Sequence, residues 1–302
     1  MAGCSIPPLD AGSFLSVVHG KHIAFIGDSM VRNQAQSLIC LLTSSAFPHR
    51  LVYHGADNYL DKYNYWRYTF PSHNVTVSFY WAPFLVKAKG KPKDDGLLYS
   101  YVHLNEPEDR WAADVDTIDV AVLGVGHWLL NGAIYYNGSD QAIGAHNAPP
   151  EFSNLTMVGY AWPLRTVYRT VMEWLLVSSG RRWRRQQWAR TMVLTMFSPP
   201  YFEARPAKNP TEWVCMRTKP YEDGENAKDL ETPALKEVKE IVYDEAEAAR
   251  ARYGDGDGGE VRIEVLDVTK LAAMRPDGHP GVYHDLSAAQ GIAQGKKLIL
   301  GK

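Results

Sequence analysis

"HIAFIGDSMVRNQAQSLICLLTS", residues 22–44, joins an apolar run ending in glycine to a Gly-Asp-Ser triplet and then to a stretch with helical spacing. The run 22–27 is expected as a strand and the residues from Ser29 onward as a helix, with Met30, Ala35, Leu38 and Leu41 or Leu42 on its apolar face. In a parallel sheet covered by helices, ligands and catalytic groups collect at the carboxyl ends of the strands. Ser29 falls at such an end. There the following helix directs backbone N–H groups and the positive end of its dipole at any developing oxyanion, an arrangement suited to acyl transfer. Asp28 stands where a helix cap is expected. The triplet alone is equally compatible with a capped helix that does no chemistry.

Outward from this unit, "YWRYTFPSHNVTVSFYWAPFLV" (65–86) is rich in aromatic and β-branched residues, and its Pro-Ser-His-Asn turn signal divides it into a hairpin. "KAKGKPKDDG" (87–96) reads as an exposed loop, and "IDVAVLGVG" (118–126) as a strand buried on both faces. Leu164, Val167, Tyr168, Val171, Trp174, Leu175 and Ser178 recur at helical spacing over 159–178, with Pro163 in the first turn. A buried strand at 191–199, a helix at 235–253 with i, i+4 charge pairs and a last strand at 261–269 follow. Strands alternating with helices predict an α/β fold: three layers, α/β/α, around a mainly parallel central sheet, all within a single domain over 1–302.

Composition narrows the function classes. With 45% hydrophobic residues, 32 basic and 34 acidic side chains and a net charge of -2, the 302-residue chain can bury a large core and has no general basic surface for nucleic acid. The one basic cluster, "RRWRRQQWAR" (181–190), reads as a solvated turn. No run approaches the roughly 18 apolar residues that span a bilayer, and the first residues lack a signal-peptide pattern, so the sequence is expected to be soluble. Sequons at Asn74, Asn137 and Asn154 point instead to the secretory pathway. Three scattered cysteines, Cys4, Cys40 and Cys215, make neither a zinc site nor a disulfide framework, and Cys40 is expected to be buried. No metal or cofactor is expected. The "DGDGG" stretch (255–259) lacks the glutamate spacing of a calcium loop.

A serine hydroxyl needs a histidine to take its proton and an acid to orient that histidine. A compact source of both is Asp-x-x-His, yet none of the ten histidines has an aspartate three residues before it. The nearest substitute is Asp277-Gly-His279, after the last expected strand; a structural turn explains it as well. Gly27, Asp28, Arg32, Asn33, Gly126 and His127 are the candidates for oxyanion or substrate contacts, Arg32 and Asn33 because they lie one helical turn from Ser29, and His127 because it lies at another strand's carboxyl end. Trp66, Tyr68, Tyr80 and Trp81 could stack on a sugar face or pack the hairpin core.

Together, "GKHIAFIGDSMVRNQAQSLICLL" (20–42), "WRYTFPSHNVTVSFYWAPFLVKA" (66–88), "GHW" (126–128), "TMFSPPYFE" (195–203), "CMRTKPY" (215–221) and "RPDGHPGVY" (275–283) resemble the trichome-birefringence-like proteins of plants. That polysaccharide O-acetyltransferase group is related to the Gly-Asp-Ser esterases with an SGNH-hydrolase-like fold, and the aromatic centre leans towards its xyloglucan acetyltransferase-like members. The resemblance implies an acetyl-serine at Ser29, an acetyl donor, a hemicellulose acceptor such as xyloglucan or xylan, and the Golgi lumen. It departs from the family pattern at both ends. The family's membrane anchor and its Asp-x-x-His block have no counterpart here, and Cys4 and Cys215 lack their disulfide partners. Asp277 and His279 are not the family's catalytic pair. Two other readings therefore stay open: a carbohydrate-binding remnant impaired in catalysis, and an acetylesterase.

Overall fold

The computed structural model describes residues 9–54, 64–90, 99–125, 128–129, 132–138, 141–147, 154–155, 159–178, 190–196, 219–222, 233–254 and 261–275. Packing groups the chain into a larger unit, Ile6–Phe197 with Glu237–Leu266, and a smaller one, Met1–Ser5 with Ser198–Lys236 and Asp267–Lys302. Among the described residues of the smaller unit, Thr269–Ala273 forms a short helix and Tyr221 N donates to Met274 O at 3.1 Å.

The larger unit holds a seven-stranded sheet in the order β11-β10-β7-β1-β4-β3-β2. Its strands are β1 (His22–Gly27), β2 (Arg50–His54), β3 (Tyr65–Phe70), β4 (Val75–Trp81), β7 (Val120–Gly124), β10 (Thr191–Thr195) and β11 (Arg262–Leu266). β11, β10, β7, β1 and β4 run parallel, and β3 is antiparallel to both of its neighbours. This is the mainly parallel central sheet expected from the alternating pattern. All six residues of β1 are buried, so the strand is covered on both faces, as its unbroken apolar run requires. The hairpin at 65–81 also forms, turning through a 3₁₀ segment at Pro71–His73 with Asn74 in the left-handed region that asparagine tolerates (φ 51°).

Helices α1 (Ala11–Val17) and α2 (Ser29–Thr43) cover one face. Leu15, Val31, Ala35, Ile39 and Leu42 pack there on Ile23, Phe25, Val77 and Phe79 in a continuous core. The buried stripe of α2 thus runs through Val31 and Ile39, while Leu41 is exposed, a small rotation from the face read in the sequence. The same phase corrects Cys40, which is exposed: position 40 lies about 100° around the helix from buried Ile39.

On the opposite face a polar network fills the space between strands. His22 Nδ1 meets Thr117 Oγ1 at 3.0 Å and Nε2 meets Ser78 Oγ at 2.8 Å; Ser78 Oγ accepts from Arg67 Nε at 2.9 Å, and Arg67 Nη2 pairs with Asp114 Oδ2 at 2.6 Å. Burial, reinforced by the Arg67 charge, lowers the His22 pKa from 6.5 to about 4. Between those two values the unfolded chain binds the proton and the folded one does not, so stability falls as pH drops through this window. A shift of that size corresponds to about 3 kcal/mol. Urea unfolding at a series of pH values should show this loss, and His22→Gln should flatten it; an equally steep loss in the variant would exclude His22 as its source.

A second, four-stranded sheet was not foreseen. It has the order β5-β6-β8-β9, with β5 at Val86–Lys89, β6 at Ser100–Pro107, β8 at Ala133–Tyr136 and β9 at Ala142–His146. Residues 87–89, read as the start of a charged loop, therefore belong to an edge strand, where lysines guard against pairing with other chains. After α3 (Asp109–Ala113), helix α4 (Ala161–Glu173) packs on β6 and continues as a π-helical turn at Trp174–Ser178. That change of period turns Trp174 outward, contrary to its expected core position. Helix α5 (Pro233–Tyr253) carries Glu245, buried and clamped by Arg165 Nη1 at 3.2 Å and Arg169 Nε at 2.7 Å. Arg190, read as part of a solvated basic turn, is buried with its guanidinium donating to Leu175 O and Val115 O. The rest of that cluster, 181–189, and the "DGDGG" stretch lie outside the described residues, as do Cys4 and Cys215. Asn74, Asn137 and Asn154, the sequon asparagines, are all exposed. No described helix is long and apolar enough to cross a membrane.

Candidate active site

Ser29 stands off the carboxyl end of β1 as the first residue of the fifteen-residue α2, half-buried. The position is created by glycines. Gly27 is level with Gly124 on β7 and with Trp81 on β4, and the two glycines bring the backbones so close that a Cβ on Gly27 would lie 2.2 Å from Gly124 O. Ala82 N donates to Gly27 O at 2.9 Å, holding the other side of the turn.

Asp28 is the N-cap of α2: Oδ1 accepts from Met30 N at 2.9 Å, and Asp28 O accepts from Arg32 N at 3.0 Å. The side chain is 2% exposed, and burial pushes its pKa up to about 6 against the pull of the Met30 and Val31 amides and the Arg32 charge. Asn at this position retains a cap acceptor without the buried charge. The folded state holds the Asp28 proton up to about pH 6 and the unfolded state only to 3.8, so the charge destabilises the fold increasingly as pH rises through that window. Asp28→Asn is therefore expected to be stabilising at pH 7, by up to about 3 kcal/mol, with the gain shrinking towards pH 4. Unfolding midpoints of the variant below those of the parent chain at pH 7 would contradict this.

The two sides of Ser29 differ. Towards β7 and β10 a small open cleft is lined by Asp28, Met30, Val31, Gly124, Val125, Thr195 and Met196. The Thr195 hydroxyl is occupied, donating to Leu123 O at 3.2 Å. Towards β4 the wall is aromatic and cationic. The Arg32 guanidinium lies over the Trp81 ring at 5.3 Å, Trp81 meets Trp128 edge-on at 5.8 Å, and Trp128 meets Phe84 at 6.0 Å.

Of the residues singled out in the sequence, the fold brings Gly27, Asp28, Ser29 and Arg32 together, and places Asn33 on the exposed side of α2. Gly126, His127, Asp277 and His279 lie outside the described residues. The expected aromatic platform divides. Trp66 is 4% exposed and packs on Phe79 and Tyr68; Tyr80 is wholly buried, its hydroxyl donating to Asp114 Oδ2 at 2.7 Å. Both are core, on opposite faces of a sheet that is covered on both: Trp66 is level with Phe79, and Tyr80 with Tyr65. Trp81 alone reaches the site, and its neighbour there is Trp128. Sequence reasoning also missed Val125, Thr195 and Met196; their signal was position, since each follows or ends a buried parallel strand. Among the described residues, no three His, Cys, Asp or Glu side chains stand close enough to hold one metal ion.

The family comparison agrees with this geometry. Residues 6–297 match the PC-Esterase model, described as a GDSL/SGNH-like acyl-esterase family found in Pmr5 and Cas1p. The chain belongs to this family. It is 42% identical to xyloglucan O-acetyltransferase 1 of Arabidopsis thaliana over 284 residues, covering 93% of this chain and 59% of the relative. It is 38% identical to xyloglucan O-acetyltransferase 2 of Populus trichocarpa, covering 96% and 64%, and 31% identical to protein trichome birefringence-like 24 of Arabidopsis thaliana, covering 93% and 60%. The chain thus spans about 60% of the length of these PC-esterase relatives.

Proposed function

We propose that this PC-esterase chain is the acyl-transfer portion of a plant polysaccharide O-acetyltransferase, moving an acetyl group through Ser29 to a hydroxyl of xyloglucan. The observation that carries the reading is the placement of Ser29: at a strand's carboxyl end, on a helix N-terminus, in a chain similar to xyloglucan O-acetyltransferases from two plants. In the first half-reaction Ser29 Oγ bonds to the acetyl carbon, the donor's bond to that carbon breaks, and the serine proton passes through a base to the leaving group. In the second, a sugar hydroxyl attacks the acetyl-serine, returning a proton to Ser29. The α2 amides face the oxyanion in both. The Trp81–Trp128 wall with Arg32 suits the acceptor, since a sugar presents an apolar face to a ring and hydroxyls to a guanidinium.

The base is a histidine. Within this chain the candidates are His279, with Asp277 beside it, and His127, and single alanine substitutions distinguish them. The exposed sequon asparagines support a Golgi-lumen location as part of the same proposal.

The test offers the chain p-nitrophenyl acetate as donor with xyloglucan or xylan oligosaccharides as acceptor, and reads acetylated saccharide by mass spectrometry. Acetyl-xyloglucan formed only with Ser29 present is the expected result. Acetate release without saccharide product would replace the proposal with an esterase; saccharide binding without turnover would replace it with a binding protein.

A further inference from the structure

Tyr168 of α4 has no part in the chemistry described so far. It belongs to the buried stripe of that helix, with Leu164, Val167 and Val171, and its side chain is wholly enclosed. The hydroxyl is buried with the ring and makes no hydrogen bond with a described residue. Phenylalanine would fill the same space at lower cost, because a buried polar group without a partner is unfavourable. A tyrosine in such a place is explained by what its oxygen faces. Two groups act on it, the Asp28 carboxylate and the Val125 amide. Burial first, and then the Asp28 charge, raise the Tyr168 pKa above that of an ordinary phenol, against the pull of the Val125 N–H. At neutral pH the hydroxyl therefore keeps its proton and can donate it to a hydrogen bond.

Asp28 and Val125 are where movement at the site would begin. Gly27 and Gly124 are level on the parallel strands β1 and β7, so Asp28 and Val125 are the first residues beyond the two paired glycines, and both line the cleft at that edge. Ser29 follows Asp28 directly. The Asp28 carboxylate takes the Met30 amide on Oδ1 at 2.9 Å and is drawn on by the Val31 amide, and it has lone pairs left for a further donor. A phenol oxygen that accepts one N–H can donate its own O–H at the same time. Contacts of this kind are often long in a free enzyme and tighten when substrate binds. We infer that Tyr168 is a positioning residue: its hydroxyl accepts from Val125 N, donates to the Asp28 carboxylate, and so fixes the Asp28–Ser29 turn against the end of β7 during acyl transfer. The role rests on the proposal that Ser29 carries an acyl group. Without the hydroxyl the ring still fills the core, but this tie between the two strand ends is lost.

The test follows single-turnover acylation of the full chain by p-nitrophenyl acetate, reading nitrophenol release and the acetyl group on the Ser29 peptide, with urea unfolding on each preparation. Tyr168→Phe should slow acylation at saturating ester about tenfold or more, with the KM for the ester changed by less than about twofold, because a misplaced nucleophile costs rate rather than binding. Tyr135→Phe is the control: it also removes a buried tyrosine hydroxyl, one that meets His146 Nδ1 at 2.8 Å, and should leave the acylation rate unchanged. Asp28→Asn, which sets an amide N–H against the phenol O–H, should slow acylation about tenfold on its own, although it stabilises the fold at pH 7. Tyr168→Phe added to Asp28→Asn should then change the rate by less than about twofold, since both substitutions cut the same tie. A folded Tyr168→Phe acylated at the parent rate, a loss matched by Tyr135→Phe, or full additivity in the double variant would overturn the positioning role while leaving the acyl-serine intact. Should Tyr168→Phe not fold, an unchanged acylation rate in Asp28→Asn would overturn it as well. Ser29 never acylated in the parent chain would overturn both.

Discussion

Ser29→Ala is expected to lower acetyl transfer by about 10³-fold or more while leaving the fold unchanged. The size follows from the division of labour at the site. The α2 amides remain after the substitution, so oxyanion stabilisation survives, but no oxygen is left to form the covalent bond. The stability should stay within about 0.5 kcal/mol, because Asp28 rather than Ser29 caps α2 and alanine is the best helix former at this half-buried first-turn position. Transfer rates and urea unfolding on the same preparation separate the two effects. A variant that is folded and retains more than a tenth of the activity would remove Ser29 from the mechanism.

Gly27→Ala is expected to have the largest effect on stability. The new Cβ would stand 2.2 Å from Gly124 O and 2.7 Å from Val31 Cγ2. The first of these is backbone of the paired strand, which moves only if the β1–β7 ladder opens. A cost of about 3 kcal/mol or more follows from forced overpacking at a site that cannot relax. Gly124→Ala meets Thr195 Oγ1 at 2.4 Å and Val31 Cγ2 at 2.5 Å, both side-chain atoms, and should cost less because those groups can rotate away. Equal unfolding midpoints for parent and Gly27→Ala would show that the strands are not held this closely. The two glycines thus link fold to function: they let β1 and β7 end side by side, and the turn carrying Asp28 and Ser29 sits on that junction.

The parallel sheet was legible because its central strands are written as unbroken apolar runs. "HIAFIG" and "TMVLT" can be satisfied only by burial on both faces. The second sheet was not, for physical reasons. β5 is a lysine-bearing edge strand that looks like a loop, and "AIYY" and "AIGAH" are too short to show a period among the surrounding glycine and asparagine residues. Cys40 shows a finer limit. An apolar neighbourhood in sequence, "SLICLL", says nothing about which residue a helix turns inward until its phase is fixed by the sheet beneath.

The same contrast holds at the site. Ser29 and its cap were legible because a strand, a glycine and a helix start follow one another in the chain. The Arg32–Trp81–Trp128 wall was not, because it depends on β4 lying next to β1 with Trp81 level with Gly27, a matter of strand order. Trp66 and Tyr80 had equal claims to the platform in sequence, and both are buried because the sheet is covered on each of the two faces they point to. The cleft was hidden for the same reason, since Met30, Val125 and Met196 come from three segments that meet only at the carboxyl edge of the sheet.

The central claim, that Ser29 carries the acetyl group between donor and acceptor, is tested most directly by trapping that intermediate. The chain is mixed with p-nitrophenyl acetate in the absence of saccharide, quenched in acid and digested, and the peptide containing residues 29–32 is examined by mass spectrometry. The account predicts an acetyl group on Ser29 that disappears when xyloglucan oligosaccharide is added before the quench. An acetyl group on another residue, or saccharide acetylation with Ser29 never modified, would contradict it.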